Sequence, residues 1–138
     1  LRLNRNEQST GQIEKKDTLE PQVVFDAREE IAKVEISESM EQYIVDIISA
    51  TRYPEKYGDQ IATWIDYGAS PRGSIALDRA SRTHAWMEDK KFVAPDDIRA
   101  VVHACLRHRL ILSYEANAEG ISADHVIDEL LKNVAVLA

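Results

Sequence analysis

The residues best suited to chemistry lie in one short run, Gly68-Ala69-Ser70-Pro71-Arg72-Gly73-Ser74. Its two glycines have the G-x-x-x-x-G spacing of a phosphate loop, whose backbone amides cradle phosphate oxygens. Such a loop needs Lys and then Ser or Thr directly after the second glycine, and here Ser74 and Ile75 stand in those places. No buried strand precedes the run, so the phosphate-loop reading fails and the chain carries no Walker A sequence. Arg72 is a different matter. In the first turn of a helix a cation meets the positive end of the macrodipole, at a cost of roughly 0.3–1 kcal/mol. The placement makes sense if an anion binds there, shared by the guanidinium and free backbone N–H groups. A solvated surface arginine is the plainer alternative.

Three other groupings invite a functional reading. Arg99, His103 and Arg107 recur at i, i+4, i+8, a basic stripe that is either a solvated helix flank or a docking surface for a phosphate or an acidic partner. His103, Cys105 and His108 look like metal ligands along the chain. On a helix, however, positions 103 and 105 point about 200° apart and do not converge on one ion. No metal site is expected, and Cys105 reads as a small core residue. Trp64, Tyr67 and Trp86 could make a binding surface, but core packing accounts for them more simply.

The elements that must position these residues are helical. Residues 1–20 show no sustained period, and their four basic and four acidic residues cancel, which suggests a flexible segment rather than a charged tail. A short helix is expected over residues 25–31, then an extended link at Val34-Glu35-Ile36. Ser37 or Ser39 can cap the next helix, in which Met40, Tyr43, Ile44, Ile47 and Ile48 form one apolar stripe that Pro54 must end. Residues 61–67 are expected to make one or two helical turns. Ser70 can cap a helix with Pro71 at its first position. That helix is expected to run to about Asp89 and to bury Ala76, Ala80, Thr83 or His84, and Met87. Lys90 to Val93 is a second extended link, able to pair with the first. Pro95-Asp96-Asp97 opens a helix carrying Ile98, Val101, Val102, Cys105, Leu106 and Arg109 in register. Gly120 breaks the chain, and Ser122 caps a last helix with Val126, Ile127, Leu130, Leu131 and Val134 on one face. The fold class is therefore all-α, a small helical bundle with room for one very short two-stranded pairing.

The 138 residues, 44% of them hydrophobic, suffice for one core. A net charge of -7, none of it in the first twenty residues, disfavours nucleic acid as a partner. No apolar run approaches the roughly 20 residues a bilayer demands, so no membrane insertion is expected. The single cysteine and the lack of a signal-peptide pattern make the cytoplasm the default location.

Several blocks, in order and with matching spacing, resemble the C-terminal part of MoxR-type AAA+ ATPases. They are Tyr43-Ile44-Val45 with Ala50-Thr51-Arg52, then Gly68-Ala69-Ser70-Pro71-Arg72, Phe92-Val93-Ala94-Pro95-Asp96-Asp97-Ile98, and Leu106-Arg107-His108-Arg109-Leu110. The resemblance covers residues 21–138 and implies the helical lid of such an enzyme. It implies an α/β AAA+ core in the same chain that holds ATP and Mg2+, with Gly68, Ala69, Ser70, Pro71 and Arg72 at the nucleotide. Arg72 is similar to the family's sensor-2 residue and would act catalytically on the γ-phosphate. Arg107 and Arg109 would orient the lid or touch a neighbouring subunit of a ring. Chaperone-like work with von Willebrand factor A proteins is implied for the parent. The isolated 138 residues, with no Walker motif, are expected to bind no cofactor and to hydrolyse nothing. Asp89-Lys90-Lys91 departs from the family, which places Gly-Arg before the extended link. A stand-alone adaptor that binds proteins through the Arg99-His103-Arg107 flank is the alternative reading.

Overall fold

The computed structural model describes residues 18–136, so most of the expected flexible N-terminal segment lies outside the described residues. Seven α-helices follow among the described residues: α1 (Pro21–Ala32), α2 (Glu38–Arg52), α3 (Asp59–Trp64), α4 (Arg72–Met87), α5 (Pro95–Leu106), α6 (Tyr114–Ala118) and α7 (Ala123–Asn133). A 3-10 turn at Pro54–Lys56 links α2 to α3, and two short strands, β1 (Ile65–Tyr67) and β2 (Ile111–Leu112), complete the set.

The ends of the helices follow from local chemistry. Ser37 caps α2, its hydroxyl accepting from the Met40 amide at 3.3 Å, and the helix stops at Arg52, two residues before Pro54. Ser122 caps α7 through the His125 amide, and Gly120 takes the left-handed φ of 72° that ends the preceding turn. The apolar stripe of α2, Met40, Tyr43, Ile44, Ile47 and Ile48, is buried as its spacing requires. It meets Leu77 of α4, Ile98, Val102 and Leu106 of α5, and Val126, Ile127 and Leu130 of α7 in one core. The α4–α5 pair is the most extensive packing in the molecule. α1 lies outside this core and buries none of its residues fully.

Both extended links meet as expected. The Glu35 amide donates to the Lys91 carbonyl and the Val93 amide to the Glu35 carbonyl, each at 2.9 Å, making an isolated parallel bridge. The two-stranded pairing lies elsewhere. β1 and β2 run antiparallel, with Ile65 opposite Leu112 and Tyr67 opposite Ile111 across a bulge. Residues 61–67 are therefore half helix and half strand rather than helical throughout. α5 ends at Leu106 instead of reaching Arg109, because the chain turns there to enter β2.

The buried face of α4 also differs from expectation. Gly73, Leu77, Ser81 and Ala85 are covered, whereas Ala76, Ala80, Thr83 and His84 are half-buried and Met87 is 70% exposed. The true stripe runs one residue further along and uses small residues, which lets α4 approach α5 closely. Ser81 is tolerated there because its hydroxyl donates to the Asp78 carbonyl at 3.0 Å.

Candidate functional site

The loop that delivers Arg72 is held by the C-terminal end of α2. Thr51 is fully buried, and its hydroxyl donates to the Ile48 carbonyl at 2.7 Å while accepting from the Ala69 amide at 3.0 Å. Arg52 Nη1 reaches the Ala69 carbonyl at 3.4 Å. Gly68 fits because it has no side chain: a Cβ there would lie 2.1 Å from the Thr51 carbonyl oxygen. At Gly73 a Cβ would meet Ile48 Cδ1 at 2.9 Å. The two glycines thus serve contact with α2, a role that needs no ligand. Thr51 was not singled out in the sequence as a site residue. Its signal was present only as one member of the Ala50-Thr51-Arg52 block.

Beyond this anchor the chain emerges into solvent. Ala69 is buried, Gly68 is half-buried, and Ser70, Pro71 and Arg72 are exposed. Ser70 does not cap α4 with its side chain. Pro71 occupies the cap position in a helical conformation, and the Ser70 carbonyl accepts from the Gly73 amide at 2.7 Å. The Ser74 amide donates to the Pro71 carbonyl at 3.1 Å. Two amides at the helix start are therefore already used, and an anion there would rely on the guanidinium more than expected. Arg72 makes no ion pair or side-chain hydrogen bond among the described residues, and its side chain is free to turn outward.

The other end of α4 is tied to α5 through a buried carboxylate. Asp97 Oδ1 accepts from Lys90 Nζ and lies against His84 Nδ1, both at 2.8 Å, while Oδ2 accepts from the Ala94 amide at 2.9 Å. Ala94 has no side-chain oxygen, so only the carboxylate half of a capping box is made. Burial pushes the Asp97 carboxyl up, but the Lys90 ammonium, the Ala94 amide and the His84 ring outweigh it and hold it below the usual carboxylate range. The sequence marked Asp97 only as a helix-start charge. Its partners come from a different helix and a loop, beyond the reach of local pattern.

Each member of the basic stripe of α5 has a partner within the chain, although Arg99 and Arg107 remain exposed. Arg99 Nε donates to the Tyr43 hydroxyl at 3.2 Å, and His103 Nε2 sits 2.8 Å from Asp128 of α7. Arg107 Nε donates to the His103 carbonyl and lies 3.1 Å from Asp124. Arg109 Nε, just beyond the helix, donates to the Cys105 carbonyl at 2.9 Å, laying that side chain back against the end of α5. His103 and Cys105 diverge, the Cys105 thiol facing the Ala76 carbonyl at 3.8 Å; burial pushes the thiol up and Arg109 opposes this. Among the described residues no group of three His, Cys, Asp or Glu side chains could hold a metal ion. No helix among them is long and apolar enough to cross a membrane. Trp64 is buried and Trp86 Nε1 donates to Glu30 at 2.9 Å, while Tyr67 is 64% exposed, so the three aromatics form no common surface.

A family model described as the AAA lid domain matches residues 60–130, which contain the Arg72 loop, α4 and α5. The chain is 37% identical over 102 residues to the chaperone MoxR1 of Mycobacterium tuberculosis, covering 73% of this chain and 27% of that protein. The protein MoxR of Paracoccus denitrificans is 37% identical over 92 residues, covering 62% of this chain and 27% of its own. The crystal structure of a candidate ATPase from Cytophaga hutchinsonii matches with a TM-score of 0.80 at 44% identity, over 83% of this chain and 35% of the other. The chain thus spans roughly a third or less of each protein it resembles.

Proposed function

Because the chain belongs to the AAA lid domain family, in the form carried by MoxR-type proteins, we propose that it closes over ATP held by an AAA+ core and presents Arg72 to the γ-phosphate as a sensor-2 residue. The observation that carries this reading is the state of Arg72. Its guanidinium is exposed and unpaired among the described residues, yet the loop that bears it is locked to α2 through Thr51 and Gly68. A mobile arginine would lose side-chain and loop entropy on reaching a phosphate, whereas an anchored one loses less. A cation that arrives only on closure stabilises the transferring phosphoryl group and ties hydrolysis to movement of the lid.

In this reading Ser70 and Pro71 flank the nucleotide, and Gly68 and Ala69 act as the anchor behind them. The lid unit begins at about Pro21. The core supplies the Mg2+ ligands, and Arg107, exposed at the end of α5, faces a neighbouring subunit of a ring with Arg109 beside it. Remodelling of client proteins together with von Willebrand factor A partners, in the cytoplasm, belongs to the same proposal. The adaptor alternative is weaker, since Arg99, His103 and Arg107 each already have a partner within the bundle.

The test is a distance. A nitroxide on Ser70→Cys, with Mn2+ replacing Mg2+ in the full-length protein, should report a short label-to-metal distance with a non-hydrolysable ATP analogue. That distance should lengthen with ADP. A separation that is long, or the same in both states, would remove the loop from the nucleotide.

A further inference from the structure

A second concave site lies between α1 and α4, about 10 Å along α4 from Arg72 by helical rise. It is a cleft of about 620 Å³ whose walls include Arg28 and Ile31 of α1 and Asp78, Arg79, Arg82 and Thr83 of α4. That volume falls in the range of small-molecule pockets, roughly 300–1,000 Å³. Three guanidinium groups share the cleft with one carboxylate. Arg82 is already committed: its Nε lies 3.0 Å from Asp78 Oδ1, and its Nη1 donates to the Val34 carbonyl. Asp78 is thereby neutralised as well. Arg28 and Arg79 are exposed and have no ion pair or side-chain hydrogen bond among the described residues.

The charge of this cleft runs against that of the protein. The chain carries a net -7, yet this recess holds two uncompensated positive charges on facing helices. Like charges brought into one concavity repel each other, and the low-dielectric walls concentrate their field. An oxyanion relieves that repulsion, and the planar fork of a guanidinium suits carboxylate and phosphate through paired N–H···O bonds. Ile31, half-buried on the α1 side, adds an apolar contact to the lining. We infer that this cleft binds a small molecule carrying two oxyanion groups, one for Arg28 and one for Arg79, with Arg82, held in place by Asp78, as a fixed part of its wall. The site is separate from the γ-phosphate contact proposed for Arg72 and does not depend on it.

Calorimetric titration of the 138-residue chain tests this, with pyrophosphate as the phosphate arm and succinate as the carboxylate arm. Saturable one-to-one binding of at least one of them is expected, and the tighter of the two identifies the oxyanion class. Arg28→Gln and Arg79→Gln should each weaken it about tenfold. Arg72→Gln should leave it unchanged. Both cleft arginines are exposed and unpaired, so thermal midpoints followed by circular dichroism should match those of the parent chain. The inference is overturned if neither anion binds saturably, if binding survives in the Arg28→Gln, Arg79→Gln double variant, or if Arg72→Gln abolishes it.

Discussion

Asp97 shows how one side chain can decide the geometry of two helices. Its carboxylate ties α4, through His84, to the start of α5, through the Ala94 amide, and Lys90 closes the charge balance. Because the folded-state pKa is depressed below the unfolded value near about 3.9, its stabilisation is complete at neutral pH and fades as pH falls through the folded value. Urea midpoints between pH 7 and about pH 3 should therefore decline on the acid side. Asp97→Asn should flatten that decline; an unaltered acid slope would clear Asp97 of responsibility. Eight residues earlier, Asp89 adopts a left-handed φ of 54°. Glycine occupies such a position without the clash an L side chain meets, so the backbone here favours a glycine over the aspartate present. Asp89→Gly should raise stability by about 0.5–1 kcal/mol in chemical denaturation. A loss would show that the Asp89 side chain contributes something its backbone does not reveal.

At the scale of elements, the Arg72 loop and the end of α2 form one unit. Thr51→Val would strand the Ala69 amide without its acceptor at a cost of about 1–3 kcal/mol. Gly68→Ala would force the loop away from the Thr51 carbonyl at a comparable cost of about 1–3 kcal/mol. Denaturation of both variants should show these losses, and a neutral Gly68→Ala would mean that the loop can move freely. The same elements explain what could be read beforehand. The stripes of α2, α5 and α7, with Ser37, Pro54, Pro95 and Ser122 as their signals, were legible because period and punctuation are local properties. β1 and β2 were not, since strands of three and two residues are too short for any alternation to register. The buried face of α4 lies one residue from the expected stripe, because alanines stand on both sides and Gly73 and Ser81 do not look like core residues. Arg72 was recognisable in the sequence as an arginine at a helix start. The lock behind it was not, because Thr51 and Ala69 are eighteen residues apart.

For the whole molecule, the distribution of charge matters more than its sum. The basic stripe of α5 is paired at the surface with Tyr43 and the acids of α7, whereas Arg72 and the cleft residues Arg28 and Arg79 make no ion pair among the described residues. That pattern suits the proposed contact between Arg72 and a triphosphate on an otherwise acidic body. The most direct measurement is ATP turnover by the full-length protein carrying Arg72→Ala, compared with the unaltered sequence. kcat should fall by about 10²-fold or more, with the unfolding midpoint of the lid unchanged. Undiminished kcat would contradict the account.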